Sequence, residues 1–270
     1  MTRIEQTFIT LKQQNKKALI PYIMAGDPNP SVTVDLMHKL VAHGADIIEV
    51  GLPFSDPMAD GQVIATAGER ALAGGTSTRQ AIEMVKQFRQ TDQNTPVLVM
   101  GYLNPIEIIG YENFANLCSE AGVDGILMVD LPPNEADDFP KKLQHYTPCP
   151  MNQIFLLSPT TAFDRRQSVI DNASGFIYYV SVKGVTGSNA LDTDDVSTHL
   201  KAIKANTDIP VCVGFGIRDG VSAKALSAVA DGVIVGSELV RHFGDDSIDT
   251  KTAIDNILAK MDELRRAIDG

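Results

Sequence analysis

Eight short apolar runs, each leading into a stretch of helical periodicity, constrain this chain more than any other feature. The runs are residues 18–25, 47–50, 96–101, 125–129, 153–157, 175–180, 210–213 and 232–235. Between them, apolar residues recur at helical spacing over 63–72, 77–89, 111–121, 135–145, 163–170, 196–205, 221–229 and 252–268. Before the first run, Ile4, Phe8 and Leu11 fall at i, i+4 and i+7 and predict a helix over 3–17. Ser31 is the expected N-cap of a helix striped by Val34, Met37, Leu40 and Val41, and Asn104-Pro105 is expected to open the loop after the third run. Strands alternating with helices imply a parallel sheet joined by right-handed crossovers. Eight such units predict a closed (β/α)8 barrel. It carries an extra N-terminal helix at its bottom and short extra helices after strands two and eight. A doubly wound open sheet is the alternative, but the first turn lacks GxGxxG. With 270 residues, 44% of them hydrophobic, and no linker in sight, residues 1–270 read as one domain.

The formal charge of −11 argues against nucleic acid and anionic membranes as partners. Cys118, Cys149 and Cys212 are scattered and form no CxxC, so neither disulfides nor a zinc site is expected. No apolar run nears the ~20 residues that span a bilayer. The opening Met-Thr-Arg-Ile-Glu lacks the apolar core of a secretory signal, which makes the cytoplasm the expected compartment.

One residue breaks the strand pattern. Glu49 lies in the second run, between Ile48 and Val50, at the C-terminal end where parallel sheets bind ligands. Desolvation there should raise its pKa toward neutrality. Asp60, in a loop punctuated by Pro and Gly, should stay ionised. Two carboxylates whose pKa values are driven apart make an acid/base pair; the plainer reading is a salt-bridged Glu and a turn Asp. Glycines cluster at other strand ends: Gly184-Val-Thr-Gly187, Gly214-Phe-Gly216 and Gly236-Ser237. The last pair opens a short helix, and helix starts favour phosphate. His38, His43, His145, His199 and His242 all miss the strand ends, so the acid/base work falls to carboxylates. Lys183 reads as a solvated loop lysine rather than a Schiff base, Asp130 as a supporting group behind the site, and Cys212 as a small buried hydrophobe.

The run Glu49-Val-Gly-Leu-Pro-Phe-Ser-Asp-Pro-Met-Ala-Asp-Gly61 resembles the signature of the tryptophan synthase alpha chain family. Pro21-Tyr-Ile-Met-Ala-Gly-Asp-Pro28 and the three glycine loops fit the same family in the same order. Gln62, where the family often has Pro, and Tyr22, where it often has Phe, depart from the pattern. The resemblance implies a TIM barrel, a lyase that cleaves indole-3-glycerol phosphate to indole and glyceraldehyde-3-phosphate. It implies no cofactor in this chain and, as partner, a pyridoxal-phosphate-dependent beta chain in an alpha2-beta2 complex that takes up the indole. It assigns Glu49 as general acid/base and Asp60 to the indole N–H. Tyr22, Met100, Tyr178, Thr186, Phe215 and Ile234 line the substrate pocket in that assignment. Gly187, Gly216, Gly236 and Ser237 bind the phosphate. Residues 181–193 are long enough to close as a lid, with Thr186 toward Asp60. Leu52, Pro53, Phe54, Pro57 and Met58 are apolar for a loop. Pro53, Phe54, Asp56 and Pro57 are therefore the expected partner contact. The alternatives are a stand-alone indole-releasing lyase and a chain that acts mainly by activating the beta chain.

Overall fold

The computed structural model describes residues 1–133, 139, 151–180, 193–214 and 216–270. The apolar runs form strands β1 (Ala18–Met24), β2 (Ile48–Gly51), β3 (Val97–Gly101), β4 (Gly125–Met128), β5 (Asn152–Gln153), β6 (Phe155–Leu157), β7 (Ile177–Val180), β8 (Val211–Gly214) and β9 (Gly232–Val235). Every pairing among them is parallel. Their order is β5-β4-β3-β2-β1-β9-β8-β7-β6. The two ends of that order, β5 and β6, are separated by Ile154 alone, so the chain itself carries the sheet round into a barrel. The expected single strand over 153–157 is thus two pieces. Asn152 and Gln153 pair with β4 and Phe155–Leu157 with β7, and the chain changes partner at Ile154.

Side chains alternate across each strand, and the inward set forms two layers. The lower layer is Ile20, Ile47, Leu98, Leu127, Ile154, Phe176, Cys212 and Ile234, all apolar and within 2% of full burial. The helix Arg3–Gln13 closes the barrel beneath it with Ile4, Phe8 and Leu11, as expected, and Phe8 meets Phe176 at 5.9 Å between ring centroids. Its start is a capping box of Thr2 and Glu5. It ends earlier than the predicted residue 17, because Asn15 turns into positive φ (55°). The same end is tied by Asp124, which accepts from Arg3 Nη1 at 2.8 Å, Arg89 Nη2 at 2.6 Å and the Val97 amide at 2.8 Å. This pole of the barrel is built for stability.

Two local expectations are corrected. Ser31 caps no helix: it hydrogen-bonds Asn29 Oδ1, and the helix Thr33–Ala42 starts from Val32 without a side-chain cap. The hydroxyl of Thr33 instead accepts from the buried Gly26 amide at 2.9 Å. Asn104-Pro105, expected to open a loop, lies in the first turn of the helix Leu103–Ile109, where proline's missing N–H costs nothing. Asp130 holds that turn by accepting from the Leu103 amide at 2.9 Å.

Candidate active site

One step above the apolar layer, the inward positions become Tyr22, Glu49, Met100, Val129, Leu156, Tyr178, Gly214 and Gly236. Six of them, Tyr22, Met100, Val129, Leu156, Tyr178 and Gly236, line a cavity of about 540 Å³ at the C-terminal ends of the strands, whereas Glu49 and Gly214 belong to the layer but not to the cavity's lining. Two glycines make room there for tyrosine hydroxyls. A Cβ on Gly51 would stand 2.1 Å from the Tyr22 hydroxyl, and one on Gly214 would stand 2.3 Å from that of Tyr178. The hydroxyl of Tyr22, which pairs with Glu49 in register, therefore lies over the strand segment just above Glu49.

Glu49 is the one carboxylate in this ring. It is 1% exposed, and neither oxygen has a hydrogen-bond partner among the described residues. Burial, and secondarily the charge of Asp60, push its pKa up to about 8. An unpartnered buried carboxyl is costly to ionise, so it holds its proton at neutral pH.

Asp60 stands where the loop after β2 enters the helix Gln62–Ala73, on the cavity wall. Its surroundings are drier than the sequence suggests. Burial raises its pKa to about 6, against a hydrogen bond from Tyr102 that lowers it. It is still mostly ionised at pH 7. Tyr102, at the end of β3, also accepts from the Ala59 amide at 3.1 Å and so grips the loop beside Asp60 twice. Its phenol is pushed up to about 12, first by burial. Tyr22 and Tyr178 are also pushed well above the ordinary phenol range, mainly by burial and then by nearby carboxylates. Both are hydrogen-bonding groups that stay protonated.

The expected residues largely converge. Tyr22, Asp60, Met100, Tyr178, Gly216, Ile234, Gly236 and Ser237 all line the same cavity. Thr186, Gly187 and Phe215 lie outside the described residues, as do Lys183, His145, Cys149 and the loop 181–192. Gly216 has φ of 80°, a left-handed conformation that glycine adopts without strain. Gly236 precedes the helix Ser237–Val240 and its carbonyl accepts from the amides of Leu239 and Val240. The amides of Ser237 and Glu238, in the helix's first turn, have no intrahelical acceptor.

In the loop after β2, Leu52 and Pro53 are buried and Phe54 stacks on Tyr102 at 5.4 Å between centroids. Much of that loop's apolar content therefore serves the barrel rim, while Asp56 and Met58 (82%) remain exposed. Sequence reasoning missed Tyr102 and the cations Arg218 and Arg241, which also line the cavity. Tyr102 was findable, since it directly follows the strand-ending Gly101. Among the described residues no group of three His, Cys, Asp or Glu could hold a metal, and no helix is long and apolar enough to cross a membrane.

Fold and site together define a (β/α)8 barrel with a cavity at the C-terminal ends of its strands, the class of barrel enzymes. Residues 8–269 match the family model described as tryptophan synthase alpha chain. The chain is 67% identical over 273 residues to the tryptophan synthase alpha chain of Psychrobacter cryohalolentis, covering 100% of this chain and 99% of that one. Among solved structures it is similar to tryptophan synthase subunit alpha from Legionella pneumophila str. Paris, with TM-score 0.91 and 44% identity over 100% of this chain and 99% of that one. It also resembles a chain of tryptophan synthase from M. tuberculosis in an aminoacrylate-bound form, with TM-score 0.86 and 32% identity over 99% and 100%. The chain belongs to the tryptophan synthase alpha chain family. It is a carbon–carbon lyase of tryptophan biosynthesis, and its reaction is the cleavage of indole-3-glycerol phosphate to indole and glyceraldehyde-3-phosphate.

Proposed function

We propose that Glu49 is the general acid/base of this cleavage and Asp60 its electrostatic partner. The observation that carries the reading is the state of the two carboxyls at neutral pH. Glu49 is buried and protonated, with no hydrogen-bond partner among the described residues, while Asp60, whose charge acts on it, is ionised on the cavity wall. Breaking the bond at indole C3 requires that carbon to be protonated first. The Glu49 carboxyl gives its proton to C3, and positive charge develops at N1. Ionised Asp60 accepts the N1–H hydrogen bond as that group becomes cationic. The Glu49 carboxylate then takes the proton of the glycerol hydroxyl next to the breaking bond. The hydroxyl oxygen becomes the aldehyde carbonyl, and the electron pair of the broken bond returns to the ring. Glu49 ends protonated, ready for another turn.

Tyr22, Met100, Tyr178 and Ile234 form the substrate walls in this reading, with Thr186 and Phe215 completing them. The phosphate lies against the amides around Gly187, Gly216, Gly236 and Ser237, and its binding energy orients C3 over Glu49. The cavity of about 540 Å³ suits a ligand of this size. The chain works in the cytoplasm with no cofactor of its own. Its partner is a beta chain carrying pyridoxal phosphate, in an alpha2-beta2 complex. Pro53, Phe54, Asp56 and Pro57 form the contact, in which Asp56 is exposed, Phe54 and Pro57 are half-buried and Pro53 is buried.

Indole release from indole-3-glycerol phosphate, measured against pH with and without beta chain, tests this. Productive enzyme needs Asp60 ionised and Glu49 protonated, so the rate should fall below about 6 and above about 8. The beta chain should raise it. A rate that stays flat through both limits overturns the carboxylate assignment, and one indifferent to beta chain overturns the contact.

A further inference from the structure

The cavity wall carries two cations among its described residues, Arg218 and Arg241, and they are not equivalent. Arg241 Nη1 lies 3.2 Å from Glu238 Oε2, so its charge is already matched. Arg218, on the loop after β8, has no side-chain hydrogen bond or ion pair among the described residues. Its backbone, by contrast, is pinned. The Arg218 amide donates to Ser222 Oγ at 3.2 Å, and its carbonyl accepts from Lys260 Nζ at 3.1 Å. Two residues on, the Gly220 amide donates to Glu263 Oε1 at 2.7 Å. Lys260 in turn meets Glu263 at 2.8 Å and Glu238 at 3.9 Å. The last helix, Thr250–Asp269, thus braces this loop from behind while the guanidinium is left unmatched on the cavity wall with Gly216, Gly236 and Ser237.

We infer that Arg218 is a further binding residue, the counter-charge for the phosphate monoester of the substrate. Backbone amides supply partial charge only, and a dianion entering here adds to the negative charge of Asp60 and of a protein already at −11. A guanidinium matches phosphate oxygens in geometry as well as charge. Holding the backbone and freeing the side chain gives a cation that reaches the anion without moving its loop. Because Arg218 is exposed, the gain is modest and screened by salt.

This rests on the reading that a phosphate occupies the glycine end of the cavity, and the experiment separates the two. Calorimetry of the full chain with sn-glycerol 3-phosphate, at low and high salt, compares the parent with Arg218→Ala and Arg218→Lys; indole is the uncharged control. At low salt Arg218→Ala should bind glycerol phosphate about fivefold more weakly. The loss should shrink at high salt, and Arg218→Lys should recover much of it as a point charge. KM for indole-3-glycerol phosphate should rise by the same factor, with indole affinity unaltered. A parent that binds glycerol phosphate while Arg218→Ala binds it equally well at low salt overturns the role of Arg218 alone. Equal weakening toward indole does so too, by showing a general disturbance. A parent that fails to bind glycerol phosphate overturns the phosphate reading itself.

Discussion

On the side of the cavity formed by β1, β2 and β3, the working atoms are side chains, and they are dry. Glu49 and Tyr22 are nearly sealed, and Asp60 is half-buried under the grip of Tyr102. On the adjoining side, in the loops after β8 and β9, the wall is glycine and backbone with exposed cations at its edge. The contrast matches what the proposed mechanism asks of each side. Holding a proton at neutral pH on a carboxyl needs desolvation, which only packed neighbours provide. Holding an anion that arrives from water needs close amides and charge, and burial would make both less available. Tyr22 joins the two sides: its hydroxyl lies over Gly51, and a Cβ on Gly236 would stand 3.4 Å from its own.

If the two sides divide the labour in this way, they can be broken separately. The largest effect belongs to Glu49→Gln, which keeps shape and removes the proton. Turnover should fall by roughly 10²-fold or more, while glycerol phosphate binding stays as in the parent. Near-normal turnover in the folded variant would remove Glu49 from the chemistry. The same variant has a stability signature. The folded pKa of about 8 lies above the ordinary carboxylate value, so the stability Glu49 contributes when protonated is lost as pH rises through about 8. The thermal midpoint of Glu49→Gln should therefore gain on the parent between pH 5 and pH 9.

Gly236→Asp attacks the other side. Its Cβ would meet Tyr22 in ordinary contact, so the barrel should fold. The added carboxylate should cut glycerol phosphate affinity by roughly tenfold or more, since charges a few ångströms apart near a surface interact by ~4 kcal/mol at most. Unchanged affinity in calorimetry would place the phosphate elsewhere. Tyr102→Phe is the mildest and the most telling about coupling within one side. It deletes the hydrogen bond that holds Asp60 down, so the Asp60 pKa rises above about 6 and the acid limb of the rate profile moves up. Indole release at pH 7 should drop by less than about twofold, as expected for a shift of under about one pKa unit. An acid limb that stays in place would detach Asp60 from that limb.

The places where the chain departs from a reading of its residues share a cause. Helix 3–17 was too long because a single Asn with positive φ stops it, and Asn at that position carries no signal apart from its neighbours. Asn104-Pro105 has the composition of a loop opening, yet Asp130 from the next strand end receives the helix's first amide and makes a helix start of it. Strand five read as one run because Ile154 to Leu157 is continuously apolar, and only the pairing of Asn152 and Gln153 with β4 and of Phe155 to Leu157 with β7 reveals the break at Ile154.

What the sequence determined by itself was local and periodic. Short continuous apolar runs alternating with stretches of helical spacing, repeated eight times, allow few folds besides a barrel. A glutamate inside an apolar run is conspicuous wherever it lies, and strand-end glycines mark close approach without any knowledge of what approaches. Tertiary structure alone decided the quantities that depend on neighbours distant in the chain. It decided that Asp60 is half dry, because Tyr102 and the barrel rim close over its loop. It decided that Tyr22 and Tyr178 tuck over Gly51 and Gly214, and that Arg218 shares a wall with Gly236. Desolvation and proximity are properties of three-dimensional surroundings, and a pattern along one chain fixes them only after the barrel has closed.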